Sequence, residues 1–343
     1  MLPGMAVTLQ DIAEDLQVSV VTVSKVLRNK GKISVGTRKR VLDRARQLNY
    51  KPNWIARSLA TRRTYTIGLL LPDFTHPFFA EIAKSVAETV RAHGYHVVIS
   101  YSEEDANLER SEVEALLGRQ VDGLIIASAQ SKEQASFFES IRQRNTPFVL
   151  VDRPVPGVHA GFVGVNDEEI GKLATEHLIA EGCKTIAHLR GPRIGLAESR
   201  LAGYRDALKK NGMNLREEHV VGAGFEDDTG YAAMRILLQN KVRPDGVFCY
   251  NDPIAIGAMK AIREAGLKVP EDIAVVGAGN VHYSDVLAVP LSTIDQETAR
   301  MGRAAAELLI EQIGGIRTSH SPAKKILLSP QLVVRESSQR LRH

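Results

Sequence analysis

From Tyr65 onward, apolar runs of strand length alternate with amphipathic stretches of helix length. This alternation constrains the fold more than any other feature of the chain. Thr66 to Leu71, Tyr95 to Tyr101, Leu124 to Ala127 and Phe148 to Asp152 read as strands. Phe78 to His93, Leu108 to Arg119 and Gln134 to Arg142 between them have helical spacing. A second set follows, opened by a short strand at Phe162 to Val165. Its further strands lie near 185–189, 220–224, 246–249 and 273–276, and its helices near 168–181, 198–211, 228–239 and 254–265. Such alternation predicts parallel sheets with crossover helices. Two successive sets predict two similar α/β lobes, with a binding cleft outside the carboxyl ends of the strands.

The segment before this pattern is of another kind. Residues 1 to 63 hold 13 Lys and Arg against 4 Asp and Glu, an excess of +9. The remaining 280 residues hold 31 against 36, or −5. A small basic module on a mildly acidic body is expected to meet a polyanion. Thr8 is placed to cap a first helix, with Asp11 in its first turn and Ile12, Ala13 and Leu16 facing inward. Ser19 is placed to cap a second, Val20 to Leu27, with Val23, Val26 and Leu27 inside. Two short helices joined by about three residues form a helix-turn-helix pattern, whose second helix enters the DNA major groove. A third helix is expected from Ser34 to about Leu48, and Arg38, Lys39, Arg40, Arg44 and Arg46 on its outer face read as a phosphate-gripping surface.

The run Thr8-Leu9-Gln10-Asp11-Ile12-Ala13, then Val18-Ser19-x-x-Thr22-Val23-Ser24-Lys25-Val26-Leu27, resembles the LacI/GalR family of bacterial transcription regulators. So do Leu48-Asn49-Tyr50-x-Pro52-Asn53 and Ile55-Ala56-Arg57-Ser58-Leu59, and the resemblance extends along essentially the whole chain. It implies a small all-α helix-turn-helix domain (6–52), a hinge helix and linker (53–64), and a two-lobed α/β core (65–340) of the type I periplasmic-binding-protein-like fold with parallel sheets. The family's three crossovers imply that lobe one comprises about 65–161 and 292–324, and lobe two about 162–291 and 325–340.

By the same resemblance, Val20, Val21, Thr22 and Lys25 form the base-reading face of the recognition helix. Valine offers only apolar contact, most naturally to thymine methyls. Lys25 stands where family members commonly have Arg, and it lacks the planar two-pronged fork. Thr8, Ser19, Thr22, Ser24, Arg28 and Ser34 read as cap and phosphate positions, which fix register. Asn53, Ala56 and Arg57 are implied to lie near the minor groove, where Leu59 wedges into the central base step and kinks the duplex. Two identical half-sites imply a palindromic operator and a homodimer. The residues after Glu336, Ser337 to His343, are too few for a tetramerising heptad helix.

Candidate effector contacts sit at strand ends: His76, Phe78 and Phe79 after the first strand, Asp152 and Arg153 after the fourth, and Arg200, Phe225, Asn251, Asp252 and Gln296 in the second half. Carboxylate, guanidinium and amide groups beside aromatic rings are sugar-binding chemistry. Each position resembles a ligand contact in sugar-responsive regulators. The family commonly has an aspartate after the strand at Ala274 to Gly277. Here Gly279 stands at that place, and Asn280 beside it is expected to substitute in part.

Zinc-type His/Cys spacing, a Walker loop and a Gly-x-Ser-x-Gly elbow are all missing from the sequence, so no metal, cofactor or catalytic residue is expected. Cys183 and Cys249 read as buried thiols of a reducing compartment. The start, from Met1 or Met5, lacks the signature of a signal peptide, and no apolar run reaches membrane length. The chain is therefore expected to be a cytoplasmic repressor answering a sugar or sugar derivative. A purine- or nucleoside-responsive regulator of the same family, or a solute-binding receptor, is the alternative.

Overall fold

A computed structural model describes residues 7–27, 31–51, 58, 61, 63–73, 75–130, 134–315 and 323–340. The chain divides into two compact units, Met1–Thr64 and Tyr65–His343.

In the first unit α1 (Leu9–Leu16), α2 (Val20–Leu27) and α3 (Val35–Gln47) enclose a small apolar core. Ile12, Val23 and Val41 are wholly buried there, with Ala13, Val26 and Ala45 around them. A reciprocal capping box opens α1: Asp11 N donates to Thr8 Oγ1 at 3.3 Å, and Thr8 N donates to Asp11 Oδ2 at 2.7 Å. The left-handed Gln17 (φ 54°) closes it and turns the chain into α2. Ser19 Oγ accepts from Thr22 N at 3.1 Å and Ser34 Oγ from Thr37 N at 3.2 Å, so both serines are helix caps. Two arginines of the basic face expected on α3 also bond α1. Arg40 Nη2 donates to the Leu16 carbonyl at 3.1 Å, satisfying an orphan group at the end of α1. Arg44 grips Asp15 Oδ2 through Nε and Nη2 at 2.8 and 2.6 Å. These two arginines tie α3 to α1.

The second unit holds two six-stranded sheets. In chain order its elements are β1 (Thr66–Leu71), α4 (Pro77–Ala92), β2 (His96–Tyr101), α5 (Ala106–Gly118), β3 (Gly123–Ile126), α6 (Ser136–Gln143), β4 (Phe148–Val151), β5 (Gly161–Val165) and α7 (Asp167–Ala180). There follow β6 (Ile186–Arg190), α8 (Gly195–Lys210), β7 (Val220–Gly222), α9 (Asp227–Leu238), β8 (Gly246–Cys249), α10 (Asp252–Glu264) and β9 (Ala274–Ala278). The chain ends with β10 (Ser292–Asp295), α11 (Thr298–Ile313), β11 (Lys325–Leu328) and β12 (Gln331–Val333). The first sheet runs β11-β5-β4-β3-β1-β2 and is parallel throughout. The second runs β12-β10-β9-β8-β6-β7, with only β12 antiparallel. Each strand order reverses beside its first strand, which opens a crevice at the strands' carboxyl ends.

Three lobe assignments differ from the sequence-based division. The strand Gly161–Val165 pairs with β4 and belongs to the first sheet, so it closes lobe one instead of opening lobe two. Ser292–Asp295 pairs with β9 in the second sheet, and the return to the first lobe begins only with α11. Lys325–Leu328 pairs with β5, Val165 opposite Leu328, so it too belongs to the first sheet. Each crossover lies between a strand and the next helix or strand, and hydropathy does not mark such a point. The α11 docking is tight: a Cβ on Gly302 would sit 2.8 Å from the Ile82 carbonyl oxygen on α4.

Close helix contact also sets the cleft. A Cβ on Gly171 of α7 would overlap the Arg200 carbonyl oxygen on α8, and one on Gly203 would overlap the Glu168 carbonyl oxygen. Only glycine permits this approach of two backbones. It holds Arg200 against the start of α7.

Candidate functional site

A cavity of about 410 Å³ opens between the two sheets' carboxyl ends. It falls within the range of small-molecule sites. The structure brings His76, Phe78, Phe79, Asp152, Arg153, Arg200, Phe225, Asn251 and Gln296 together on its walls.

Arg200, 3% exposed, is the most thoroughly fixed of these. Its Nε donates to Asp167 Oδ1 at 2.8 Å, Nη1 to the Tyr250 carbonyl at 2.6 Å and Nη2 to Gln296 Oε1 at 3.1 Å. The guanidinium lies 4.5 Å from the centroid of the Tyr250 ring. Three of five N–H groups are thereby engaged, and each terminal nitrogen keeps one for a ligand oxygen. Burial pushes the Tyr250 hydroxyl up to about 12, so it stays a neutral donor.

Asp152 is 5% exposed and has a left-handed backbone, φ 65°, a region aspartate tolerates better than most residues. Burial pushes its carboxyl up to about 6, against the pull of Arg153 and Arg200. Among the described residues, its carboxylate accepts no hydrogen bond; Arg153 Nε stands 3.4 Å away. Arg153 spends its fork on Glu104, both terminal nitrogens reaching the carboxylate, Nη2 to Oε1 at 2.7 Å. Its guanidinium lies 5.8 Å from the ring centroids of both Phe79 and Phe225. Phe79 belongs to α4 of the first lobe and Phe225 follows β7 of the second, so Arg153 bridges the cleft. A second bridge joins His76, the N-cap of α4, to Asn251, the N-cap of α10: Nε2 and Nδ2 are 3.5 Å apart. His76 Nδ1 accepts from Phe78 N at 3.3 Å, and burial lowers the imidazole's proton affinity.

Two expected contacts lie elsewhere. Asp252 is wholly buried and absent from the cavity wall. Its oxygens accept from Val281 N at 2.9 Å, Ser284 Oγ at 3.2 Å and Thr293 Oγ1 at 2.6 Å, so it ties α10 to the loop after β9. Asn280 also turns away, giving Nδ2 to Asp295 Oδ2 at 2.9 Å and receiving Arg335 Nη2 on Oδ1 at 2.8 Å. The neighbouring Gly279 does face the cavity, but at φ +140°. That conformation is closed to an L side chain without strain.

Several wall residues escaped the sequence reading: Asp73, Tyr101, Glu103, Glu104, Glu226 and Tyr250. Glu103 and Glu104 directly follow β2, and the strand-end rule applied there would have found them. Asp167, the partner of Arg200, opens α7 directly after β5 and was equally open to that rule.

On the helix-turn-helix unit, Val20 and Val21 are 42% and 60% exposed, so neither is spent on the core. Lys25 is exposed as well, its aliphatic stem lying over Gly31. Thr22 and Ser24 are half-buried, and Thr8, Ser19 and Ser34 are N-caps. Arg28, Asn53, Ala56, Arg57 and Leu59 lie outside the described residues.

Comparison with known proteins matches residues 8–53 to bacterial regulatory proteins of the lacI family and 175–338 to a periplasmic binding protein-like domain. The chain is 34% identical to a ribose operon repressor of Halalkalibacterium halodurans, over 97% of each chain. It is 33% identical to the HTH-type transcriptional repressor PurR of Actinobacillus pleuropneumoniae serotype 3, over 97% of this chain and 99% of that one. Among solved structures it is similar to the Lac repressor dimer bound to operator and the anti-inducer ONPF: TM-score 0.85, 28% identity, 98% of this chain and 100% of that one.

Proposed function

The chain belongs to the LacI family of bacterial regulatory proteins, and on that premise we propose that it is a repressor whose operator affinity is set by a sugar bound between its lobes. It binds a palindromic operator as a homodimer, one helix-turn-helix unit per half-site. It works in the bacterial cytoplasm; no helix among the described residues is long and apolar enough to cross a membrane. It has no catalytic step: the cleft binds and releases its ligand unchanged.

The observation that carries this reading is the Arg200 constellation. A buried guanidinium held by Asp167, Tyr250 and Gln296, with two N–H groups beyond those three bonds, shares the cavity wall with the Asp152 carboxylate. Such a donor and acceptor suit the hydroxyls of a sugar ring, and the lining Phe78, Phe79 and Phe225 suit its apolar face. Ligand entry rearranges the two contacts that cross the cleft, Arg153 with the Phe79 and Phe225 rings and His76 with Asn251. The two lobes then change their relation, and operator affinity changes reciprocally with effector affinity.

At the operator, Val20 and Val21 meet thymine methyls, while Lys25 and Thr22 supply the few hydrogen bonds to base edges. Pro52 to Ala60 serve as the hinge, with Leu59 as the minor-groove wedge. The aromatic rings of the cleft also suit a nucleobase, which makes a purine the competing ligand class. A thermal-shift screen of sugars and purines decides between them, since a bound ligand raises stability by mass action. A response to purines alone overturns the sugar reading. Gel-shift titration on a selected palindrome tests the hinge: if Leu59→Ala leaves specific affinity unchanged, the wedge is not there.

A further inference from the structure

Most charged groups on the cavity wall are carboxylates. Asp73, Glu103, Glu104, Asp152 and Glu226 line it against the guanidiniums of Arg153 and Arg200. Both cations are already matched. Both terminal nitrogens of Arg153 go to Glu104, with its Nε 3.4 Å from Asp152, and the charge of Arg200 is balanced by Asp167 just outside the wall. The third basic group, His76, has its proton affinity lowered by burial. Asp73, Glu103 and Glu226 therefore face the cavity with no ion pair among the described residues. Asp73 spends one oxygen on Thr75, through N and Oγ1, both at 2.7 Å. Burial raises the Glu226 carboxyl, and the negative charges of Asp73, Asp227 and Asp228 raise it further, so this end of the cleft is under self-repulsion.

A second observation points to a ligand independently of this acidic rim. Deeper in the cavity, Asp152 is 95% buried, has 3.4 Å to its nearest cation and accepts no hydrogen bond from the described residues. A carboxylate removed from water and left without donors costs free energy until something donates to it. The cavity therefore wants hydrogen-bond donors at both depths and no further negative charge.

Resting on the sugar reading above, we propose that the effector is a polyol without an anionic group, a free sugar or its amine-bearing counterpart, and that this cleft rejects phosphorylated and carboxylated sugars. An anionic group entering past Asp73, Glu103 and Glu226 meets like charges in a partly desolvated mouth, where none of the described cations is unpaired. A protonated amine meets the same groups favourably. Arg200 does not reverse the sign, because its charge is already balanced and its two remaining donors suffice for neutral hydroxyls.

The test is calorimetric titration of the full-length protein with D-ribose, D-glucose and D-galactose, their 5- or 6-phosphates, D-gluconate and D-glucosamine. At least one free or amine-bearing sugar is expected to bind. Its phosphorylated or carboxylated counterpart is expected to bind at least about tenfold more weakly. The Glu103→Gln/Glu226→Gln double variant, both sites being exposed and tolerant of an amide, is expected to narrow that gap. A phosphorylated sugar that binds as well as its free form overturns the inference while leaving the sugar reading standing. A gap unchanged in the double variant also overturns it, because the rejection would then be steric. If purines bind and none of these compounds does, the sugar reading falls and the inference with it.

Discussion

Arg200 Nε and Asp167 Oδ1 lie 2.8 Å apart in a setting where neither residue exceeds 7% exposure. The pair joins α8 to the start of α7, and Arg200 lines the cavity. Its geometry depends on Gly171 and Gly203, which let the two helix backbones touch. Removing the guanidinium leaves Asp167 buried and unpaired. Arg200→Ala is therefore expected to destabilise the core by about 3–5 kcal/mol and to abolish the effector response. Arg200→Lys keeps the charge but loses the fork, and it separates the two effects. Chemical denaturation and effector-dependent gel shift measure them; a response surviving in Arg200→Lys at wild-type effector concentration removes the fork from the mechanism.

Asp152 makes stability depend on pH. Its folded-state carboxyl is raised from 3.8 to about 6, so the folded chain holds a proton that the unfolded chain has released. The fold is then favoured below about pH 4 and loses that advantage as pH rises through about 6. Asp152→Asn removes the titration and tolerates the left-handed backbone at φ 65°. Urea unfolding is expected to show the variant about 1–3 kcal/mol more stable than wild type at pH 7 and nearly equal at pH 4. The same variant binds the effector more weakly, having lost its acceptor charge. Equal pH profiles for both proteins contradict this account.

Gly279 stands where the resemblance leads one to expect an aspartate, and the backbone there is at φ +140°. Restoring the side chain does not restore an anchor. Asp252 Oδ2 lies 3.4 Å from the position of a Cβ, so the new carboxylate would also face a buried like charge. Gly279→Asp is expected to cost about 1–3 kcal/mol and to leave sugar affinity unimproved. A gain in affinity by calorimetry would show that the loop relaxes and that the anchor was merely missing.

On DNA, the exposed Val20–Val21 pair predicts losses confined to particular base pairs. Val21→Ala is expected to cost about 1 kcal/mol on sites with thymine at the contacted position and little on others. Lys25→Ala is expected to weaken binding more and to relax guanine preference. Selection from randomised half-sites reads both effects. Arg44→Ala, by contrast, is expected to lower stability with little change in the salt dependence of binding, because Arg44 is committed to Asp15.

Much of this was readable in the chain. The helix-turn-helix unit announces itself through the Thr8 and Ser19 caps and the inward Ile12, Val23 and Val41, all short-range signals. The alternation after Tyr65 locates nearly every strand, because buried parallel strands are apolar throughout. Which sheet receives a strand is a long-range matter. Gly161–Val165 and Lys325–Leu328 are distant in sequence yet pair in register, and nothing local in either segment marks the partner. The cleft residues at strand ends followed from topology. Asp252 and Asn280 were misplaced because their neighbours Thr293, Ser284, Asp295 and Arg335 are remote in sequence and absorb every polar atom. The bonds of Arg40 and Arg44 to α1 escape a local reading for the same reason: the groups they satisfy lie 24 and 29 residues earlier.

One small molecule in the cleft is expected to control operator affinity. Fluorescence anisotropy of a labelled palindromic operator, titrated with the full-length protein with and without a saturating sugar already shown to bind by calorimetry, tests it directly. Two protomers per operator are expected, with a shift in apparent affinity of about fivefold or more and the sugar's own affinity changed by the same factor when operator is present. Identical operator isotherms with and without the bound sugar would contradict it.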